Sequence, residues 1–337
     1  MNDCGLLLLN LGSPDSFSIP DVKKYLGEFL MDERVIDAPY LVRSLIVKGF
    51  ILPFRPKRSA QAYSKVWTKG GSPLKVITES FKQEIEQLVD MPVAIAMRYG
   101  NPTPQHALEE LVSKSSNLKT LFVAPLYPHY AMSSYETAVR HVMNSISGRF
   151  EVKLLRPFYN EASYIDSLAE SIRPHVRGHI LFSYHGLPVR HLKKTSNCPV
   201  DSSCCDIRSK AWDTCYKHQV IETTNLVAGK LGLTADQYSY SFQSRLGRDE
   251  WIKPFTAEVL ETYPSKGIKD LVVVCPAFVA DCLETLEEIA IAGKEIFLNA
   301  GGESFTVVPC LNTFKPWIDT FASWCNEREA DHATLWT

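Results

Sequence analysis

The chain has 337 residues, 45% of them hydrophobic, which is enough for a sizeable core in one large or two medium-sized domains. Its 36 basic and 38 acidic residues give a formal net charge of -2, so we expect no nucleic-acid partner. The start of the chain lacks the basic leader and cleavage site of a secretory signal, and no stretch reaches the roughly 18 to 20 apolar residues of a membrane span. These features predict a cytoplasmic protein.

Predicted strands alternate along the chain with helices of about ten residues or more. This alternation is typical of parallel sheets covered by helices on both faces, and it predicts an α/β fold. In chain order the predicted strands are Gly5 to Leu11, Val93 to Arg98, Leu118 to Pro125, Glu151 to Leu155, Gly178 to Tyr184, Tyr238 to Gln243, Lys269 to Cys275 and Phe305 to Val308.

The two halves of the chain share a pattern. Residues 8–14 match residues 182–188, and residues 118–125 match residues 268–276, although two generic strand-turn-helix units can also match by chance. The repeat predicts two similar doubly wound parallel-sheet lobes, with the ligand in a cleft between them outside the carboxyl ends of the strands.

The first predicted lobe comprises residues 1–150 together with a terminal helix in residues 311–337. The second lobe comprises residues 151–310 and carries a cysteine-rich insertion at about residues 195–215.

His185 follows the strand that begins the second lobe, and Leu11 occupies the corresponding position in the first. An imidazole at the carboxyl end of a buried strand can accept protons near neutral pH where a ligand binds. A lone histidine at a strand end is also often a hydrogen-bonded structural residue, so its partners matter.

Glu284 follows another strand of the second lobe, at the start of a predicted helix, and Glu288 lies one turn further along the same face. Glu284 and His185 at the ends of different strands can face one site and share a proton or a metal ion. The alternative interpretation of these glutamates is a solvated acidic helix face.

Three further side chains are candidates for holding a ligand. Arg98, at the end of the second strand, and Arg55 can bind carboxylates through paired N–H donors, although both also fit surface roles. Trp251 can stack on a flat ligand or pack in the core.

The segment from Tyr40 to Arg55 combines large apolar residues with interspersed cations. It predicts either an amphipathic lip that touches a membrane surface or a helix packed on its own domain.

Four of the nine cysteines lie close together in the insertion: Cys198, Cys204, Cys205 and Cys215. Without a secretion signal, such a group favours metal binding over disulfides. The adjacent pair departs from zinc-ribbon spacing, so we predict a [2Fe-2S] cluster, with zinc or unligated thiols as the alternatives. No Walker or G-x-G-x-x-G motif is present, so we expect no nucleotide cofactor.

Five motifs, spaced in this order, resemble those of ferrochelatases, the enzymes that insert ferrous iron into porphyrin. The resemblance covers about residues 5 to 325, and its motifs are residues 7–14, 71–74, 183–188, 242–247 and 275–286. It implies a two-lobed chelatase fold and the formation of protohaem from protoporphyrin IX and ferrous iron, both of them substrates. The internal cysteine group resembles that of a bacterial subgroup with [2Fe-2S] ligands in an insertion.

By this resemblance, His185 and Glu284 lie at the metal-insertion site. The implied porphyrin-binding positions are Asn10, Leu11, Arg55, Arg98, Tyr127 and Trp251, to which we add Glu288. Cys282 stands where some members carry a further histidine. Members with a late cluster use a carboxyl-terminal cysteine group, but only Cys310 and Cys325 occur late in this chain.

Three alternative functions remain open: a coproporphyrin ferrochelatase, a cobaltochelatase on the same scaffold, and a haem or metal carrier without turnover. Metal insertion releases two pyrrole protons and requires a base near pH 7. The histidine and the glutamates suit that requirement, which favours an enzyme over a carrier. The membrane contact, if made, is expected at the inner face of the cytoplasmic membrane. The oligomeric state is not indicated by the sequence.

Overall fold

The computed structural model describes residues 3–146, 148–196, 198, 204–205, 208–245, 247 and 249–327. The chain divides into two compact units. The first comprises Met1–Tyr127, Met132–Arg156 and Ile318–Thr337, and the second comprises Pro128–Ala131 and Pro157–Trp317. The division at residues 150 and 310 stays a prediction about the folding domains.

Within the described residues, each unit contains a four-stranded parallel sheet with helices between its strands. The strand order is β2-β1-β3-β4 in the first unit and β6-β5-β7-β8 in the second. The predicted α/β class with two similar parallel-sheet lobes is therefore confirmed. The strands are β1 Cys4–Ser13, β2 Val93–Gly100, β3 Thr120–Pro125, β4 Glu151–Leu154, β5 His179–His185, β6 Tyr238–Gln243, β7 Asp270–Val274 and β8 Ser304–Val307.

Helices fill most of the intervals between strands, and three stretches have the wider π-helical pattern. The α-helices are α1 Ile19–Leu30, α2 Tyr40–Ser44, α3 Arg55–Val66, α4 Pro73–Glu86, α5 Pro104–Lys114, α6 Thr137–Ile146, α7 Ala162–Ile172, α8 Val189–Leu192, α9 Tyr216–Leu231, α10 Thr256–Thr262, α11 Lys294–Asn299 and α12 Lys315–Glu327. The π-helical segments are Leu45–Ile51, Met132–Glu136 and Glu284–Gly293, and the 3-10 turns are Arg173–His175, Lys210–Asp213 and Pro264–Lys266.

The central strands are apolar along their length because both faces of each sheet are covered. The side chains of residues 6–9 in β1 and of residues 180–182 in β5 are completely buried. Such strands appear in the sequence as continuous hydrophobic runs, which is why their positions could be predicted.

β1 and β5 occupy the same place in their sheets, as do β3 and β7, in agreement with the sequence repeat. Gly12, near the end of β1, has φ +99°, and a Cβ there would lie 1.9 Å from the Tyr99 carbonyl oxygen. Only glycine allows β1 to approach β2 so closely at this point.

The terminal helix α12 ends in the first unit. There the Phe321 ring packs edge-on to Phe81, with centroids 5.1 Å apart. Asn326 Nδ2 donates to the Leu88 carbonyl at 3.0 Å. These contacts anchor the last described turns of the chain to α4 and the residues that follow it.

Candidate functional site

His185 is the last residue of β5, at the carboxyl end of the second unit's sheet. Its Nδ1 lies 2.6 Å from the Gly186 carbonyl oxygen. Because a carbonyl can only accept a hydrogen bond, Nδ1 must carry the proton, and Nε2 is left with the basic lone pair. The contact selects the tautomer that can accept a proton through Nε2.

Glu284 begins the π-helical segment Glu284–Gly293, where the sequence pattern predicted a helix. The sequence predicted a helix here without its pitch, because apolar periodicity scarcely distinguishes one helical pitch from the other. Single-turn π-helical insertions are frequent at functional sites, and this one extends over ten residues.

Glu288 is mostly buried and accepts hydrogen bonds from both the backbone N–H and the hydroxyl of Ser244. Burial raises the pKa of Glu288 above its usual value. The Ser244 bonds and the positive charge of His185 oppose this rise, while the negative charge of Glu284 adds to it. The charges of His185 and Glu284 therefore both act on Glu288, and the structure places these three side chains in one group.

Gln243, the last residue of β6, links Glu284 to the sheet. Its Nε2 donates to the Glu284 carbonyl at 3.2 Å. Its Oε1 accepts from the Ser183 hydroxyl at 2.6 Å. The buried Cys282 thiol, whose pKa burial raises, hydrogen-bonds to the Glu284 side chain as a neutral donor.

Gln243 and Ser244 were not assigned roles from the sequence. The sequence feature that could have identified them is their position directly at the end of a predicted strand, within residues 242–247. Ser244 has φ +67°, an unusual backbone conformation for a non-glycine residue, and it supplies both donors to Glu288.

Trp251 is buried and lies against the turn that follows His185. Ile252 N donates to the Leu187 carbonyl at 3.0 Å. A Cβ added at Gly186 would lie 3.2 Å from the Trp251 ring. The ring therefore packs on the backbone next to His185.

In the first unit, four of the predicted residues lie at or near the carboxyl ends of the neighbouring strands β1, β2 and β3. Asn10 is buried, donates to the Thr78 hydroxyl at 3.0 Å, and accepts from the backbone N–H of Leu11 at 2.8 Å. Tyr127 is buried, and its hydroxyl has no hydrogen-bond partner within the part of the chain that the structure describes. Burial raises the pKa of Tyr127, and the nearby charge of Arg98 opposes that rise.

The Arg98 guanidinium is engaged within the first unit. One terminal nitrogen pairs with the buried Asp32 carboxylate, and Nε donates to the Thr137 hydroxyl at 2.8 Å. The same guanidinium lies 4.3 Å from the centre of the Tyr99 ring. Arg55 is more exposed than Arg98 and lies in the first turn of α3.

The insertion cysteines lie in contact with one another. The sulfur atoms of Cys198 and Cys204 are 3.9 Å apart. Cys215 hydrogen-bonds to the thiols of Cys205 and Cys198 and to backbone N–H groups at the start of α9. The Cys205 hydrogen bond, supported by those N–H groups, lowers the pKa of Cys215 to about 6. The described structure has no disulfide bond at any of these four cysteines.

These contacts connect all four thiols, since Cys198 lies near Cys204 and Cys215 contacts both Cys198 and Cys205. In residues 3–327, outside the short undescribed gaps, no group of three or more His, Cys, Asp or Glu side chains has the arrangement of a metal site. The donor chemistry suits a metal, because one of the four thiols has a lowered pKa.

The segment of residues 40–54 exposes its apolar side chains rather than packing them. Leu41 is 80% exposed, Phe50 68% and Phe54 76%, and only Arg43 and Val47 of α2 and the following π-helical turn are buried. Contact with a membrane surface and packing on the protein's own domain both stay predictions for this segment. Among the described helices, none has both the length and the apolar character that crossing a bilayer requires.

Comparison with known proteins decides the family. The model of the ferrochelatase family matches residues 3–329. The chain belongs to the ferrochelatase family. A ferrochelatase of Opitutus terrae is 45% identical over 96% of this chain and 97% of its own length. A ferrochelatase of Pseudomonas putida is 44% identical over 97% of this chain and 100% of its own.

Among solved structures, SirB from Bacillus subtilis with Fe3+ has a TM-score of 0.54 at 12% identity, covering 96% of this chain and 95% of SirB. The sirohydrochlorin chelatase SirB of Bacillus subtilis subspecies spizizenii, in complex with cobalt, has a TM-score of 0.55 at 10% identity and covers 97% and 96%. At this identity the likeness supports the chelatase-like fold alone, which agrees with the predicted fold class.

We expect Asp32→Asn to lower the free energy of unfolding by about 3 kcal/mol at neutral pH, because it leaves the Arg98 guanidinium without its buried counter-charge. Burial raises the pKa of Asp32, but the Thr137 hydroxyl, the Arg34 N–H and Arg98 outweigh it, so the pKa lies below 3.8. The carboxylate therefore stabilises the fold above that pH, and its contribution is lost as the pH falls through the lowered pKa.

The measurement is urea unfolding of the wild type and the variant at neutral and acidic pH. Asp15→Asn is the matched control, since Asp15 pairs with Lys75 at the surface and its loss is worth less than about 1 kcal/mol. Equal effects of the two substitutions at neutral pH would contradict the role assigned to the Asp32 ion pair.

Proposed function

We propose that the protein inserts ferrous iron into protoporphyrin IX and releases protohaem and two protons. The observation that carries the proposal is His185, whose Nδ1 is bound by the Gly186 carbonyl and whose charge acts on Glu288 beside Glu284, in a chain of the ferrochelatase family. Iron insertion exchanges two pyrrole protons for one Fe2+, so a base that works near neutral pH is the first requirement.

His185 accepts the pyrrole protons through Nε2 in this mechanism. The resulting imidazolium is stabilised by the negative charge of the neighbouring Glu288. Because Nδ1 is already committed to the Gly186 carbonyl, the ring cannot turn away from the substrate without losing a hydrogen bond.

Glu284 assists with iron delivery and with the exit of protons, and Glu288 continues that route. The raised pKa of Glu288 suits a group that must gain and lose a proton near the working pH. The reverse assignment, with Glu284 or Glu288 as the base and His185 presenting the metal, uses the same residues.

The porphyrin contacts we propose come from two kinds of side chain. Arg55 and Arg98 pair with the propionates, Arg98 while held by Asp32. Apolar and polar walls are supplied by Asn10, Leu11, Tyr127 and Trp251.

We expect His185→Ala to lower the rate of porphyrin metallation by about 100-fold or more, because it removes the base, and Glu284→Gln to lower it by a comparable factor. The rates are measured anaerobically with ferrous iron by following the Soret band. Glu295→Gln is the matched control, since Glu295 is exposed on the adjoining α11 and should leave the rate unchanged.

Wild-type rates in both site variants would refute the mechanism. Supplying protoporphyrin and coproporphyrin, each with ferrous iron or cobalt, separates the proposed reaction from the alternative chelatases. A protein that retains one porphyrin or haem per chain without turnover would instead be a carrier.

We also propose that Cys198, Cys204, Cys205 and Cys215 hold a [2Fe-2S] cluster. The lowered pKa of Cys215 and the contacts among the thiols support a metal site with thiolate ligands at the start of α9. When bound, the cluster would cross-link the insertion to that helix.

Anaerobically purified protein should contain about two iron and two sulfide ions per chain and absorb visible light. Cys204→Ser and Cys215→Ser should each lose this absorption, whereas Cys310→Ser, at a late cysteine outside the group, should keep it. A colourless, zinc-loaded protein would overturn the cluster in favour of zinc, and a metal-free one would leave simple thiols.

The exposed segment of residues 40–54 is proposed to rest on a membrane surface, so that the protein works in the cytoplasm at the inner face of the cytoplasmic membrane. Its apolar side chains stand beside exposed cations at Lys48, Lys57 and Arg58. Apolar groups entering the lipid and cations at its headgroups together favour surface binding.

Vesicles of phosphatidylglycerol and phosphatidylethanolamine test this contact by co-sedimentation. We expect the double variant Leu41→Asp, Phe50→Asp to bind at least about tenfold more weakly, because two large side chains can no longer enter the lipid. Val112→Asp, at an exposed apolar position of α5, is the control. Equal binding by the double variant and the wild type would remove the proposal.

A further inference from the structure

Tyr216 contacts His185 through the backbone. Its hydroxyl donates to the His185 carbonyl oxygen at 2.8 Å. Tyr216 is buried and is the first residue of α9, and it directly follows Cys215. It is therefore bonded covalently to one member of the cysteine group and by a hydrogen bond to the residue proposed as the base.

The His185 carbonyl lies beyond the last residues at which β7 pairs with β5. The N–H of the same peptide unit, on Gly186, donates to the Gln243 carbonyl of β6 at 2.7 Å. The carbonyl of a trans peptide points the opposite way, towards the β7 side. The pairing of β5 with β7 ends at Phe182 and Val274, so the Tyr216 hydroxyl supplies the hydrogen bond that β7 does not.

This peptide unit determines where the imidazole lies. The ring is fixed by its Nδ1–H bond to the carbonyl of the next residue, Gly186. A displacement of the strand end therefore moves both anchors of the ring and shifts Nε2. Displacements of about an ångström at a reacting group cost rate even when no contact with the substrate is lost.

Several hydrogen bonds hold the first turn of α9. The Cys215 sulfur accepts from the N–H groups of Lys217 and His218. The Gln219 side chain donates to the Asp213 carbonyl at 2.9 Å and accepts from the Tyr130 N–H at 2.7 Å. A change in the cysteine group thus acts on the part of the helix that carries Tyr216.

We infer that Tyr216 is a positioning residue for His185, and that through it the state of the cysteine group adjusts the position of the imidazole. The inference rests on the proposed role of His185 as the base. It does not depend on which metal the cysteine group binds.

A second tyrosine provides a matched control. Tyr184, one residue before His185, joins the same strand to the same helix through its hydroxyl and Thr224 Oγ1, 2.8 Å apart. Tyr184→Phe therefore removes one buried hydrogen bond between β5 and α9, as Tyr216→Phe does, but leaves the His185 carbonyl with its partner.

The kinetic test compares the two variants in porphyrin metallation. We expect Tyr216→Phe to lower kcat by about tenfold, with a change of less than about twofold in the KM for porphyrin and a displaced pH profile. Tyr184→Phe should keep the kcat and pH profile of the wild type. An unchanged kcat in Tyr216→Phe, or equal losses in both variants, would overturn the inference.

The coupling is tested without turnover by NMR of protein with isotope-labelled histidines, the His185 signal being assigned by its loss in His185→Ala. Cys204→Ser alters the cysteine group without substituting any residue of α9. We expect it to shift the His185 ring signal in the wild-type background and to leave that signal unchanged in Tyr216→Phe.

The same shift in both backgrounds, or no shift in either, would refute the connection. The two failures are distinguishable, because a wild-type protein that does not metallate any porphyrin refutes the proposed function, while the NMR comparison still reports whether Tyr216 links the cysteine group to His185.

Discussion

The parallel pairing of β5 with β6 and β7 is the constraint on which the candidate site depends. It holds His185 and Gln243 in register at the end of two neighbouring strands, and Gln243 in turn holds the backbone of Glu284. Because all these strands run in one direction, their carboxyl ends deliver polar groups to one edge from a core that is otherwise apolar. The cost of burying Glu288 is offset by the two donors of Ser244.

The two units show how one scaffold can carry different chemistry. β1 and β5 have the same neighbours in their sheets, yet the position that holds His185 in the second unit holds Leu11 in the first. In the first unit the polar groups near the strand ends are largely satisfied internally, as in the Arg98–Asp32 pair. The group formed by His185, Glu284 and Glu288 belongs to the second unit.

Much of this could be predicted from the sequence, for physical reasons that differ between features. All eight predicted strands have counterparts in the structure, and the central ones were the clearest because they are buried apolar runs. His185 was found because it follows one of these central strands. The position of Ser244 after a strand was visible too, but its role and that of Tyr216 depend on which elements are neighbours in the fold. The π-helical geometry at Glu284 was missed because it leaves no clear mark on apolar spacing.

The exposed segment of residues 40–54 shows another limit. Its composition was compatible with packing on the protein or on a membrane, and it did not indicate that side chains such as Leu41 are exposed. For the cysteines the sequence indicated proximity, and the contacts of Cys215 with Cys198 and Cys205 agree with it. The sequence could not indicate which of the four thiols contact one another, because that depends on how the insertion folds against α9.

The hydrogen bond from His185 Nδ1 to Gly186 has one more consequence. A histidine whose second nitrogen faces a carbonyl cannot pass a proton through the ring and out on the other side, because that side is already a donor and its partner has no proton to exchange. In the proposed mechanism His185 takes both protons of each macrocycle, so the first has to leave Nε2 before the second can be taken. Removal of the two protons through this ring would then be stepwise, and a nearby carboxylate that accepts the first proton from the imidazolium would speed the cycle.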